Sequence, residues 1–262
     1  MRRSITTFAA TAAAAIAVIV IAQPTSSAAA ADDKLTLVAQ AITLDDVTGD
    51  SGDASAAAAT ATAGAEACSD TTYALKTWKV GNLNWLYNGS GVPANIAGTA
   101  LGTITDSTNT VATGANRCGL PKLTASTYTY GGTTTVAPQV SATATCTGND
   151  GKSVTGWGAL PAKVLAYTCT YYNAKGVVVS SDTMIDNKQF PWFTTVPANC
   201  TGQQYDLQST ITHERLHTAG LGHVDQARNA AQTMVPSSSP CDTSHRLLGA
   251  GDYAGLKALI GG

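Results

Sequence analysis

The chain has 262 residues, of which 12% are charged, and a formal net charge of −2. That length supports one catalytic-sized domain with a proper core and leaves room for segments outside it. The near-neutral balance argues against a basic face, so no nucleic-acid partner is expected.

Residues 1–31 have the layout of a signal peptide. Arg2 and Arg3 give a positive start, an apolar run extends from Phe8 to Ala22, and the small residues from Ser26 to Ala31 offer a cleavage site. The apolar run is short for a bilayer span, so cleavage is expected rather than anchoring. A secreted, extracellular protein follows, with no stable membrane association once the peptide is cut. Residues 32–66 carry seven acids against one base, Lys34, and end in an Ala/Thr/Gly run from Ala54 to Ala65. Only Leu35–Val38 offers anything to bury. The segment reads as a disordered leader or propeptide, with a plain solvated linker as the bland alternative.

The globular domain is expected over residues 67–262. Trp78–Tyr87 has strand-like aromatic and branched residues. Asn95–Asn116 reads as a helix with Gly119 just beyond its end. Thr124–Val136 is a Thr/Tyr strand region broken by Gly131 and Gly132. Val164–Tyr172 and Val177–Ile185 are strands, and Asn173–Gly176 between them is a hairpin turn. Tyr205–Ala219 reads as a helix stopped by Gly220, and Asp252–Ile260 as a last short helix. Strands first and a late helix suggest an α+β domain.

Six cysteines stand at Cys68, Cys118, Cys146, Cys169, Cys200 and Cys241. An even count in an exported chain favours three disulfides, and the absence of any C-x-x-C argues against a cysteine metal site. Pairing neighbours along the chain gives 68–118, 146–169 and 200–241, although the sequence itself does not choose among the pairings.

The decisive segment is His213-Glu214-Arg215-Leu216-His217, followed by Gly220 and His223. Three of the four histidines of the chain fall in this window. Residues four apart share one face of a helix, so His213 and His217 can reach one metal ion. Gly220 can end the helix in the left-handed conformation, and the returning chain brings His223 to a third ligand position. Three neutral imidazoles with a fourth position open is the pattern of a catalytic Zn²⁺ rather than a structural one. Glu214 then serves as the general base that takes a proton from water and hands it to a leaving amine.

The eleven residues from His213 to His223 resemble the signature of the metzincin metallopeptidases, and the matrixin-like branch fits best. Tyr205–Ser209 resembles the lead-in to the matrixin helix. Ser181–Asn187 with Pro191-Trp192 resembles the preceding strand and aromatic segment, and Gly251–Ile260 resembles the C-terminal helix. The likeness covers roughly residues 75–262, notably to secreted matrixin-like proteins of actinobacteria. It implies a twisted, mostly parallel sheet with one antiparallel edge strand, a zinc-binding active-site helix, and a small C-terminal subdomain with a final helix. It also implies a Met-turn, matched by Thr233-Met234-Val235-Pro236, with Met234 as an apolar floor under the imidazoles and Val235–Pro240 bordering the substrate pocket. Leu216 departs from the Gly that many matrixins carry before the second His. Asn116–Pro121 resembles the cysteine switch of matrixin propeptides, but the even cysteine count makes a disulfide the expected state of Cys118.

The resemblance implies a zinc endopeptidase acting on a polypeptide substrate as a monomer. Structural Ca²⁺ is a common accessory in the family, and Asn149-Asp150-Gly151 could contribute oxygens, although a turn is the plainer reading. Asp225 is a candidate to orient a ligand histidine or to cap a helix. His245 reads as solvated. Trp157, between two glycines, is either near the substrate-binding edge strand or in the core. The competing function is a catalytically inactive secreted zinc-binding or adhesive domain. A metallohydrolase of non-peptide amides is a third reading. Glu214 favours an enzyme, since an inactive domain has no need of that carboxylate.

Overall fold

Two neighbouring runs, Val164–Tyr172 and Val178–Asp186, set up the centre of the molecule. The first is rich in Thr and Tyr and the second carries Val, Thr and Ile, residues that suit a pleated, buried surface. They pair antiparallel from Tyr172↔Val178 to Ala166↔Ile185. At the turn between them, Asn173 Oδ1 accepts the amides of Lys175 and Val177, each at 3.0 Å. The computed structural model describes residues 34–44, 66–124 and 127–260, all within one compact unit. The expected signal peptide and residues 45–65 of the leader lie outside the described residues.

In chain order the strands are β1 (Thr36–Leu44), β2 (Ala74–Leu75), β3 (Asn82–Tyr87), β4 (Thr127–Thr133), β5 (Ser153–Gly158), β6 (Val164–Tyr172), β7 (Val178–Asp186), β8 (Trp192–Phe193), β9 (Tyr205–Asp206), β10 (Leu221–Gly222) and β11 (Ser237–Ser238). The main helices are α1 (Ala100–Thr113), α2 (Leu207–Ala219) and α3 (Ala250–Ile260). Seven strands form one sheet in the order β11-β1-β6-β7-β5-β3-β4. Every neighbouring pair in it is parallel except those made by β6, which runs antiparallel to β1 and β7. The α+β class with a mostly parallel sheet and one antiparallel strand is therefore present.

Two expectations change. The antiparallel strand β6 is not the edge of this sheet, because β1 lies along its outer side. Disorder does not describe Thr36–Leu44, which sits inside the expected leader yet pairs with β6 from Thr36↔Tyr172 to Thr43↔Val164. The segment has little to bury alone, and a partner strand supplies what its own composition lacks.

Helix α1 stops at Gly114, five residues before the expected Gly119, and Gly114 takes the left-handed conformation with φ 62°. Its threonines bond back to carbonyls one turn earlier, as Thr108 Oγ1 does to Ile104 O at 2.8 Å. Trp157 lies in β5, between β7 and β3, and is buried, so it is a core residue rather than an edge residue. It packs edge-on to Trp192 in a core that also holds Trp85, Leu165, Ile185, Tyr205 and Ile211. The three disulfides are Cys68–Cys118, Cys146–Cys169 and Cys200–Cys241, as neighbour pairing gives. Cys118 is thus not a free thiol.

Candidate metal centre

Helix α2 carries the site, and its start is fixed by Asp206. The Asp206 carboxylate accepts the Ser209 amide at 3.0 Å, which caps the helix. Arg246 clamps the same carboxylate with two nitrogens, at 2.6 and 2.8 Å. The helix ends at Gly220, whose φ is 117°. A Cβ there would meet Trp78 O at 2.1 Å, so only glycine fits both the backbone and the neighbour. The Trp78 indole in turn donates to the carbonyls of His217 and Thr218, both at 3.3 Å.

The turn after Gly220 brings three imidazoles together. The Nε2 atoms of His213, His217 and His223 form a triangle with sides of 3.0, 3.1 and 3.0 Å. His213 Nδ1 lies 2.7 Å from Thr233 O, and His217 Nδ1 lies 3.1 Å from Leu221 O. A carbonyl only accepts, so both rings carry their proton on Nδ1 and turn an Nε2 lone pair inward. Lone pairs at that separation repel unless a cation lies between them. The triangle's centre is about 1.8 Å from each nitrogen, comparable with the 2.0–2.1 Å that imidazole keeps from zinc. The three histidines could therefore hold a metal ion.

Their electrostatics suit that role. Burial, then the neighbouring His223, pushes the His213 pKa down to about 3. Burial holds His217 well below its ordinary value, and His223 is pushed down to about 4, first by burial and then by Lys76. All three stay neutral, as ligands must be.

Glu214 is fully buried beside them. Its Oε1 accepts the Ile42 amide of β1 at 3.2 Å, and Oε2 has no hydrogen-bond partner among the described residues. Burial pushes its pKa up to about 8, against the nearby Thr168 hydroxyl, the Ile42 amide and the Arg215 charge. Arg215 points the other way. It lies 5.1 Å over the Trp85 ring and donates to Thr108 and Thr155.

The Met234 segment is held from α3. Asp252 accepts the amides of Thr233 at 2.7 Å, Met234 at 3.1 Å and Gly249 at 2.9 Å. Thr233 O is the partner of His213, so Asp252 positions a histidine through one intervening residue. Met234 is buried with Leu216, Leu221 and Val224. After it, β11 pairs in parallel with the end of β1 at Thr43↔Ser237 and Leu44↔Ser238.

The remaining candidates take other roles. Asp225 caps the short helix Gln226–Asn229 by accepting the Arg228 amide at 3.1 Å. His245 stands apart from the triangle, with Nε2 3.1 Å from Ala230 O and Nδ1 3.4 Å from Asp242. Asn149 and Asp150 form a turn, their side chains accepting the Gly151 and Lys152 amides at 2.8 and 2.9 Å. Sequence reasoning passed over Asp206, Arg246, Asp252 and Ile42. Only Asp206 carried a local signal, an Asp before a helix with Ser three residues on.

Fold and site together define a class: an α+β domain whose buried helix presents three histidines able to hold a metal beside a buried glutamate. No protein-family model matches the chain, and no curated protein matches it in sequence.

Proposed function

We propose that this protein is a secreted zinc-dependent endopeptidase of the metzincin type, matrixin-like in its layout. The observation that carries the reading is the convergence of three inward Nε2 atoms, 3.0–3.1 Å apart, next to the buried Glu214 carboxylate. His213, His217 and His223 hold the zinc. When bound, zinc supplies a Lewis acid that acidifies water and polarises a carbonyl oxygen.

Glu214 takes the proton from water and delivers it to the nitrogen of the departing amine. The Ile42 amide on its Oε1 supports this, because it places a peptide N–H against that carboxylate. Thr233 O and Leu221 O keep the two helix imidazoles in one tautomer. Met234 provides the apolar floor, and Val235–Pro240 borders the pocket. The substrate is a polypeptide taken in extended form along the sheet. Three disulfides favour export. Among the described residues no helix is long and apolar enough to cross a membrane.

The test pairs metal analysis with a peptide-cleavage screen. The purified protein is expected to carry about one zinc per chain, to lose hydrolysis to a chelator and to regain it with Zn²⁺. Glu214→Ala is expected to keep the zinc and lose hydrolysis by at least about 100-fold. Hydrolysis indifferent to the chelator, or unchanged in that variant, refutes the assignment.

A further inference from the structure

We infer that the groove between β6 and β11 is an extended-peptide site, and that residues 36–44 of this same chain are its resident occupant and keep Glu214 covered. The catalytic consequence rests on the proposed function. The docking of a strand in the groove does not.

Among the described residues, strand β11 belongs to the sheet only through β1. Without β1, β6 would have a free edge and β11 would face it across a gap one strand wide, about 10 Å. An exposed edge of this kind is a template for another strand. The strand that fills it runs antiparallel to β6 and parallel to β11.

The filling strand is tied to the site at one residue. The β1–β6 register shifts between Ile42 and Thr43. At that break the Ile42 amide donates to Glu214 Oε1 at 3.2 Å. The Ile42 side chain is 4% exposed and joins the main core, whereas Leu37 is 43% exposed. Just beyond, the Thr43 amide donates to Pro236 O at 3.1 Å and the Leu44 amide to Lys163 O at 3.0 Å. The occupant therefore presents a branched apolar residue immediately after the peptide bond whose nitrogen faces Glu214.

This occupant does not capture a metal. Residues 34–44 contain no His, Cys, Asp or Glu, and Cys118, the switch-like cysteine, is bound to Cys68. It acts by filling the groove and capping the base. Because it is covalently joined to the domain, its effective concentration is on the order of millimolar, enough to exclude free peptides of micromolar affinity.

The test uses the full chain with a site-specific protease sequence replacing residues 51–60, zinc being supplied throughout. A fluorescent peptide of residues 34–44 probes the groove, and quenched peptides probe turnover. Amide exchange of β6 is followed in the full chain and in Ile42→Asp. The uncut chain is expected to ignore the fluorescent peptide. Cutting, followed by removal of the N-terminal fragment, is expected to allow micromolar binding and to raise turnover at least tenfold. Ile42→Asp, uncut, is expected to speed β6 exchange at least tenfold. Equal peptide binding before and after the cut, or unchanged β6 exchange in Ile42→Asp, overturns the inference. Binding that appears on cutting, with no hydrolysis by any form, refutes the peptidase reading and leaves the groove and its occupant standing.

Discussion

Glu214 has two sides, and they are built differently. On one side the two helix histidines are braced through their ring nitrogens and through the turn that follows the helix. His213 leans on Thr233, which hangs from Asp252, and His217 leans on Leu221, behind a Gly220 turn locked against Trp78. The Cys200–Cys241 disulfide ties the chain before α2 to the chain after the Met234 segment. On the other side β1 is held by ladder hydrogen bonds and one deeply buried side chain, Ile42, while Thr36, Leu37 and Ala39 remain exposed. The contrast fits the two tasks proposed for the site. Metal ligands must be preorganised, since small misplacements weaken coordination, whereas an occupant that has to leave must be held by little.

The braced side breaks most heavily at Asp252. Asp252→Ala leaves three buried amides, those of Thr233, Met234 and Gly249, without their acceptor. The expected cost is about 4 kcal/mol, or a fall in Tm of about 10 °C. Zinc affinity should fall about 10–100-fold as His213 loses its fixed partner. Asp252→Asn keeps one acceptor oxygen and should recover part of both. A competition titration against a chelating dye and a thermal melt report the two effects. Normal zinc affinity in a destabilised Asp252→Ala would detach Asp252 from the site and weaken the contrast.

The two sides were also unequally legible in the sequence. His213 and His217 lie four apart on one helix, so helical spacing places both on one face, and the stop at Gly220 with His223 three residues further on is also local in sequence. The cysteine pairing follows chain order, with bridges spanning 50, 23 and 41 residues, a choice that the sequence itself did not dictate. The support of Asp252 was invisible, because its partners are backbone amides that every sequence possesses. Strand β1 was invisible because its partner β6 lies far along the chain and its apolar residues are few. The end of α1 was misplaced because Gly114 and Gly119 both have positive φ, 62° and 66°, and composition does not rank them. The glycines around Trp157 left an edge strand and the core both open. They serve packing in the core, since a Cβ on Gly158 would meet Met184 Sδ at 2.6 Å.

The sheet behind β1 adds a pH dependence opposite in sign to that of the buried histidines, whose lowered pKa values make stability fall as pH falls. Asp182 on β7 is opposite Cys169 of β6 and fully buried. Its Oδ1 accepts the Val154 amide at 3.0 Å and Oδ2 has no hydrogen-bond partner among the described residues. Burial pushes its pKa up to about 7. Below about pH 4 the group is protonated whether the chain is folded or not, so stability does not respond. Between about 4 and 7 only the folded state keeps the proton, so stability falls as pH rises. Above about 7 the full cost is present. Asp182→Asn should remove that slope and be the more stable protein at pH 8 by on the order of 2 kcal/mol, with little difference at pH 4. Urea titrations of both proteins at the two pH values decide it. Parallel curves across the range would mean that Asp182 is solvated in solution.

The smallest expected effect tests how locally β1 is held. Leu37 pairs with Tyr171 of β6 yet is 43% exposed, so its side chain contributes little to seating the strand. Leu37→Ser should cost no more than about 0.5 kcal/mol of local stability, which is about a twofold rise in β6 amide exchange. Ile42→Ala removes a buried branched side chain and should cost about 3 kcal/mol at the same amides, more than a hundredfold in exchange. The ratio between the two variants matters more than either value. If Leu37→Ser loosened β6 as much as Ile42→Ala, β1 would be anchored along its whole length like any other strand. If only Ile42→Ala did so, the strand is pinned where its backbone meets Glu214, and a single side chain governs whether the groove is open.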